Sequence, residues 1–144
     1  MKMPHGLQPE APDLRLTRVT DYVRSTLNAP PDYAQLARLA NLSYCQLFRL
    51  FKQHLGLSPQ QYIEHQRIEV AKTLLTLNRL SIKEIAVQTG FANQLYFSRR
   101  FQRATGLSPT QFRESQRDDP ERALHPYSYQ AGLYTTPQTY GSFA

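Results

Sequence analysis

The chain has 144 residues, enough for one ordinary domain or two very small ones, and 17 basic against 11 acidic side chains give it a net charge of +6. Its single cysteine, Cys45, excludes an intramolecular disulfide, and the sequence has no apolar stretch of the ~18 residues that a membrane span needs. Its N-terminus lacks the apolar segment of a secretory signal, so the sequence predicts a soluble cytoplasmic protein without a membrane partner.

The first predicted helix follows a flexible N-terminus, residues 1–13, which contains three prolines and a glycine. Beyond it, Leu16, Val19, Val23 and Leu27 recur at spacings of three and four residues. This spacing is typical of an amphipathic helix with one buried face. The Ala-Pro-Pro sequence that comes next ends the helix.

A pair of helices joined by a tight turn is predicted between about residues 32 and 54. The first helix of the pair ends at Asn41, and Ser43 can cap the second helix. Ala37 is a small residue at the place where the two helices must approach each other closely. A helix, a turn and a helix in this order form the helix-turn-helix arrangement.

The stretch "GLSPQQY" predicts the end of that pair and the start of a longer helix, about 58–78. Gly56 suits the left-handed residue that closes a helix. Ser58 and Gln61 form a capping box, and Pro59 lies at the first turn, where its missing N–H costs nothing. The longer helix therefore joins the first helix pair to whatever follows.

A second pair of helices is predicted at about residues 81–104. Ser81 and Glu84 suggest a capping box at its start, and Gly90 breaks the first helix. The next helix reads "NQLYFSRRFQRAT" and is closed by a second glycine. The sequence thus predicts a second helix-turn-helix unit after the linking helix.

The two units are copies of each other. The stretch "GLSPTQF" at residues 106–112 repeats "GLSPQQY", and nine of seventeen residues are identical between 51–67 and 101–117. Two copies are too few for a solenoid, which usually needs three or more. The repeat therefore suggests a duplicated domain that performs one task at two places.

The basic side chains are concentrated in the duplicated part. Residues 36–117 contain twelve Lys and Arg against four Asp and Glu, whereas the segment before them is neutral. Such a surface favours a polyanionic partner such as nucleic acid, although a solvated helical surface has the same composition. Arg100 departs from the repeat because its counterpart, Leu50, is apolar. Its guanidinium is expected either to extend along the core edge or to reach a phosphate.

Each copy resembles a helix-turn-helix of the AraC/XylS family of bacterial transcription regulators. The stretch "AVQTGFANQLYFSRRFQRATGLSPTQFR" is similar to that family's C-terminal signature, and the resemblance extends over about residues 14–117. It implies an all-α, seven-helix bipartite domain, in which a central linker helix joins the two units. The resemblance also implies that both recognition helices, about 44–54 and 93–104, enter the major groove of DNA.

The helical periodicity gives each recognition helix one apolar face and one outward face. Phe51 and Phe101 are predicted to lie on the apolar faces and to be buried. Arg can pair with guanine, and Asn or Gln with adenine, through two hydrogen bonds. The candidate DNA-binding residues come from the outward faces and the helix N-termini: Ser43, Tyr44, Cys45, Gln46, Phe48, Arg49, Lys52, Asn93, Gln94, Leu95, Ser98, Arg99, Gln102 and Arg103.

The predicted function is that of a sequence-specific transcriptional regulator, which binds double-stranded DNA as a monomer. Activation through contacts with RNA polymerase, in the bacterial cytoplasm and on the nucleoid, is what the family resemblance implies. No constellation of catalytic residues stands out and the four histidines lack metal-ligand spacing, so neither an enzyme nor a cofactor or metal site is predicted. Two alternatives stay open: a helical module whose basic face binds an acidic protein, and a DNA-binding fragment of a larger ligand-responsive regulator.

The tail, residues 118–144, is net acidic and contains four tyrosines and three prolines. It lies outside the basic duplicated part, so truncation after Arg117 is expected to leave DNA affinity nearly unchanged. A titration of duplex DNA with the full and the truncated chain measures this. A tenfold loss of affinity, about 1.4 kcal/mol, would show that the tail belongs to the binding domain.

Overall fold

The computed structural model describes residues 13–118, and this part of the chain consists of seven α-helices without a strand. The predicted all-α, seven-helix architecture is confirmed, while the predictions for residues 1–12 and 119–144 lie outside the described part. None of the seven helices is long and apolar enough to cross a membrane. In chain order they are α1 (Leu14–Ser25), α2 (Tyr33–Ala40), α3 (Tyr44–Leu55), α4 (Pro59–Leu77), α5 (Ile82–Gln88), α6 (Gln94–Thr105) and α7 (Pro109–Asp118).

The capping box predicted before α4 is confirmed, and the repeated sequence forms a second one before α7. The Ser58 hydroxyl accepts a hydrogen bond from the Gln61 N–H at 3.1 Å, and the Gln61 side chain accepts one from the Ser58 N–H at 2.9 Å. Ser108 and Gln111 repeat the arrangement with the same two distances. A cap of this kind contributes about 1 kcal/mol to stability, so the repeated sequence fixes the same helix start twice.

The start of α5 differs from its prediction. The Ser81 hydroxyl accepts from the Glu84 N–H at 3.1 Å, as expected for an N-cap. The Glu84 carboxylate, however, accepts from the Ser81 hydroxyl at 3.0 Å instead of reaching back to the Ser81 N–H. The predicted capping box is therefore only half formed. A full box that the sequence analysis missed lies before α3, between Ser43 and Gln46.

The two helix-turn-helix turns differ by one residue. Both close with a backbone hydrogen bond of 3.0 Å, from Leu42 to Ala37 in the first unit and from Phe91 to Ala86 in the second. These bonds pair positions 49 residues apart, whereas the helices after the turns repeat at a spacing of 50. The second turn is therefore one residue longer than the first.

The residue that reverses the chain also differs between the turns. Asn41 adopts the left-handed conformation with φ 56°, and Gly90 does so with φ 85°. Asn is among the few residues besides Gly that enter this region at low cost. Glycine is needed in the second turn for an additional reason, because another part of the backbone approaches Gly90 too closely for a Cβ atom.

Residues 13–118 form two hydrophobic cores, each beneath one helix-turn-helix unit, and α4 contributes to both. The first core is formed by Val19, Val23, Leu36, Ala37, Ala40, Leu47, Phe51, Leu57, Tyr62 and Ile63. The second core is formed by Ile68, Ala71, Leu75, Ile85, Ala86, Phe91, Phe97, Phe101 and Phe112. α4 therefore packs in the first core up to Ile63 and in the second core from Ile68, and it connects the two units without a loop.

The burial predicted for the two recognition-helix phenylalanines is confirmed. Phe51 is fully buried and packs edge to face against Tyr62, with ring centroids 5.6 Å apart. Phe101 is fully buried against Phe112, in the same geometry at 5.4 Å. The equivalent residues of the repeat therefore form equivalent aromatic pairs, and each anchors a recognition helix to the helix that follows it.

Candidate nucleic-acid interface

The fourteen residues predicted to contact DNA all lie on α3, on α6 or at the N-caps of these helices. Twelve of them are exposed, and the remaining two, Lys52 and Ser98, are half-buried. Their exposure follows from the anchoring of the opposite faces, since Leu47 and Phe51 of α3 and Phe97 of α6 are fully buried. Both helices therefore present their predicted outward faces to the solvent.

The outward face of α3 is largely aromatic. The Tyr44 ring packs against Tyr33 of α2 at a centroid distance of 5.6 Å and against Phe48 at 6.4 Å. The Nζ atom of Lys52 lies 5.9 Å from the centroid of the Phe48 ring, within range of a cation–π contact. Arg49 is exposed beside this group. The first recognition helix thus offers apolar surface together with two cations.

The outward face of α6 is richer in polar groups. Arg99, Gln102 and Arg103 are exposed along one side of the helix. Leu95 and Tyr96 extend into the solvent at its N-terminal end, where they are 61% and 48% exposed. The second recognition helix therefore carries more hydrogen-bonding groups than the first, and an exposed tyrosine that the sequence analysis did not include.

Two of the predicted base-reading amides already serve as helix caps. The Asn93 side-chain oxygen accepts from the Tyr96 N–H at 2.8 Å, and the Gln46 side-chain oxygen accepts from the Ser43 N–H at 2.9 Å. Pairing with adenine through two hydrogen bonds needs that same oxygen as an acceptor. Gln94 and Gln102 have no side-chain partner among the described residues, so they are the amides with both groups available.

The profile of the helix-turn-helix domain family matches residues 36–115, which is more than half of the chain. The arabinose operon regulatory protein of Escherichia coli strain K12 is 40% identical over 102 residues, which cover 70% of this chain and 35% of that protein. An AraC-type transcriptional regulator from Chromobacterium violaceum has a crystal structure similar to this fold, with a TM-score of 0.68 and 28% identity. That match covers 72% of this chain and 92% of the solved one.

The chain belongs to the AraC/XylS family.

A solved complex of this family includes DNA. The DNA-binding domain of AdpA, described as a global transcriptional factor in complex with a target DNA, matches with a TM-score of 0.67 and 28% identity. The match covers 78% of this chain and 96% of that domain. The present chain accordingly carries the DNA-binding domain of an AraC/XylS transcription regulator, and the prediction of a regulator instead of an enzyme agrees with these relatives. It spans 35% to 40% of the length of the first curated relatives that it matches.

Six of the twelve basic residues in the duplicated part of this AraC/XylS domain donate hydrogen bonds within the protein. Arg38 donates to the Gln35 side chain and Lys52 to the Gln61 side chain. The other four bind as follows. Arg67 donates to two backbone carbonyls, and Arg113 donates to the Leu80 carbonyl. Lys72 is fully buried and lies 2.9 Å from the Glu69 carboxylate. Burial lowers the pKa of Lys72 to about 8, and the nearby Glu69 carboxylate opposes the change.

The last of these residues is Arg100, which forms an ion pair that the sequence did not predict. Its guanidinium donates from Nε and Nη2 to the two carboxylate oxygens of Glu64 on α4, the second bond measuring 3.0 Å. This pair raises the pKa of Arg100, because the carboxylate stabilises the charged form. The second copy has Arg100 where the first copy has Leu50, since only the recognition helix of the second unit faces Glu64.

The described histidines do not form a metal site. No group of three or more His, Cys, Asp or Glu residues suited to a metal ion occurs within residues 13–118. His54 lies at the surface, 4.0 Å from the Asp13 carboxylate. His65 is half-buried on α4, and burial lowers its pKa. His5 and His125 lie outside the described residues.

Proposed function

We propose that the domain binds an asymmetric DNA site as a single molecule, with α3 and α6 in successive segments of the major groove. The observation that supports this most directly is the equivalence of Arg49 and Arg99. Both lie on the outward faces of their recognition helices, both are exposed, and neither is paired with another side chain of the described part. Arg is the residue that most often reads guanine through two hydrogen bonds.

The two helices are expected to read their half-sites differently. On α3, Tyr44 and Phe48 are 40% and 38% exposed and form an apolar surface suited to the methyl groups of thymine. On α6, Arg99 is accompanied by Gln94 and Gln102, whose amides are available for adenine. The first helix is therefore proposed as the less discriminating reader and the second as the more discriminating one.

The remaining candidate residues are proposed to have supporting roles. Lys52 and Arg103 are proposed to bind phosphates at the edges of the groove, because each lies about one helical turn beyond the proposed base-reading arginine of its helix. Ser43, Gln46 and Asn93 hold the N-termini of the recognition helices, which are the ends that approach base edges in helix-turn-helix motifs. Cys45, Leu95 and Ser98 complete the two outward faces.

Activation of transcription through RNA polymerase, in the cytoplasm and on the nucleoid, is proposed from membership in the family alone. The partial coverage of its relatives is compatible with a DNA-binding part of a larger ligand-responsive regulator. The alternative of a basic module for an acidic protein is tested by salt. On duplex DNA, log affinity should fall linearly with log salt concentration, because each neutralised phosphate releases condensed counterions.

The stoichiometry of the complex tests the proposed function. Two unlike recognition helices on one chain should occupy two unlike half-sites, about one helical turn or ~34 Å apart on one face of the duplex. A preferred site is first selected from random duplex DNA, and the mass of the complex is then measured by sedimentation. One protein per duplex is expected. A complex that forms only with two proteins on a perfect palindrome would refute the proposal.

A further inference from the structure

The Arg67 side chain of α4 lies where the two helix-turn-helix units meet. Its Nε donates to the Leu27 carbonyl at 3.0 Å and its Nη2 to the Ala29 carbonyl at 3.1 Å, both in the connection between α1 and α2. On the other side, the centre of its guanidinium lies 6.0 Å from the centroid of the Phe91 ring, in the turn between α5 and α6. One side chain thus contacts both units.

The backbones of the two units also meet at this place. A Cβ atom on Gly90 would lie 2.2 Å from the Leu27 carbonyl oxygen and 3.0 Å from the Arg67 guanidinium. A real Cβ atom essentially never approaches a backbone oxygen to 2.2 Å, and at 3.0 Å the Arg67 side chain would have to shift, so the turn of the second unit rests directly on the first unit. The Leu27 carbonyl is held between the guanidinium and the glycine.

A second contact fixes the other end of the same unit. Glu64 precedes Arg67 by one turn of α4, and it holds the Arg100 guanidinium of α6 through two hydrogen bonds. Both charged groups are about three-quarters buried, with 27% and 25% of their side chains exposed. Paired, geometrically matched hydrogen bonds of this type restrict orientation as well as distance. Two adjacent turns of α4 therefore attach the turn and the recognition helix of the second unit.

The repeat provides an internal comparison for these contacts. Glu114 and Arg117 occupy the same places in the second copy, yet both are exposed. Identical residues therefore make different contacts in the two copies, since the first copy is followed by another unit. The contacts of Glu64 and Arg67 are not needed to form a helix-turn-helix, because α5 to α7 form one without the equivalent pair.

We propose that Glu64 and Arg67 are positioning residues, which fix the orientation of the second recognition helix relative to the first and thereby set the half-site spacing that the domain accepts. This inference rests on the proposed function, in which the two helices read two half-sites. One additional base pair moves a half-site by about 3.4 Å along the duplex and turns it by about 34°. A rigid pair of recognition helices cannot follow that change, whereas a pair joined by α4 alone can bend towards it.

The orientation of the units is measured first without DNA. The native Cys45 is an exposed thiol on α3, and Lys83→Cys places a second one on the exposed side of α5. Spin labels on these two thiols report the distance distribution between the units by pulsed electron paramagnetic resonance. With Arg67→Met, which keeps the length of the side chain but removes its donors, the distribution should become about twice as wide.

Arg113→Met is the matched control. Arg113 also donates to a backbone carbonyl, that of Leu80, but this bond joins α7 to the segment just before α5 and does not reach the first unit. Its loss should lower stability without widening the distribution. Glu64→Gln is the second test variant and removes the charge of the other contact. It serves as the test if Arg67→Met does not fold. Unchanged distributions in Arg67→Met and Glu64→Gln would overturn the inference.

The accepted spacing is measured next, on duplexes that carry both selected half-sites with one base pair added or removed between them. For the wild type, either change should lower affinity about tenfold, because one recognition helix loses its register. For Arg67→Met and Glu64→Gln the loss should be less than about threefold, with the base preferences of each half-site unchanged. A wild-type spacing penalty retained in both variants would contradict the inference. A wild type without any spacing penalty would contradict the proposed function instead.

Discussion

Phe101→Ala is expected to lower the free energy of unfolding by about 3–5 kcal/mol. The Phe101 ring is fully buried in the second core, where it packs between Phe97 at 5.7 Å and Phe112 at 5.4 Å. Removal of the ring leaves a cavity that the neighbouring Phe97 and Phe112 rings cannot close. Small domains are stable by only about 5–15 kcal/mol, so this loss is a large part of the total.

Urea unfolding followed by circular dichroism measures the change. Leu95→Ala is the matched control, because Leu95 is an apolar residue of the same helix but is 61% exposed, and its loss should stay within about 0.5 kcal/mol. Phe51→Ala should match Phe101→Ala, since the Phe51 ring is equally buried against Tyr62. An unchanged unfolding midpoint for Phe101→Ala would mean that α6 presents a different face to the core.

Arg99→Ala is expected to weaken DNA binding by roughly 1–3 kcal/mol and to relax base preference in one half-site only. The guanidinium is exposed on α6 and not used by the protein itself, so its two parallel donors are available to a guanine. Arg49→Ala should have the same kind of effect in the other half-site. The effect on preference should be smaller there, because the surrounding residues of α3 are mainly apolar.

Selection from random duplexes with each variant separates base reading from phosphate binding. If the arginines bind phosphates, affinity should fall uniformly across sequences and the salt slope should fall by about one. Arg79→Ala is the control for charge, since Arg79 is exposed between α4 and α5 and outside both recognition helices. Wild-type preference and affinity in both Arg49→Ala and Arg99→Ala would place neither arginine at the DNA.

The sequence predicted the parts of this structure that depend on neighbouring residues. The helix ends at Ser58, Gly56 and Gly106 follow from caps and left-handed residues, which act over a few positions. The burial of Phe51 and Phe101 follows from helical periodicity. These interactions are local, so their signals lie within one short stretch of sequence.

The contacts between the units could not be predicted in that way. Arg100 is 36 residues from Glu64, and Arg67 is 40 residues from Leu27, so no local pattern connects the partners. The repeat itself was misleading, because it treats Arg67 and Arg117 as equivalent although, within residues 13–118, only Arg67 has a neighbouring unit to contact. Asn93 shows a different difficulty: its amide suits a helix cap and a base equally well, and only the structure shows that its oxygen accepts the capping hydrogen bond.

The participation of α4 in both cores links the stability of one helix-turn-helix unit to that of the other. Tyr62 and Ile63 on one half of the helix and Ile68, Ala71 and Leu75 on the other are covered by different units. If either unit unfolds, the corresponding half of α4 is left with an apolar face in water, at about 25 cal/mol for each Å² exposed. The exposed half of α4 is not expected to stay helical, because short helices without tertiary packing are only marginally stable in water. The two units are therefore expected to fold cooperatively, and damage to the core of one should lower the population in which the other is folded.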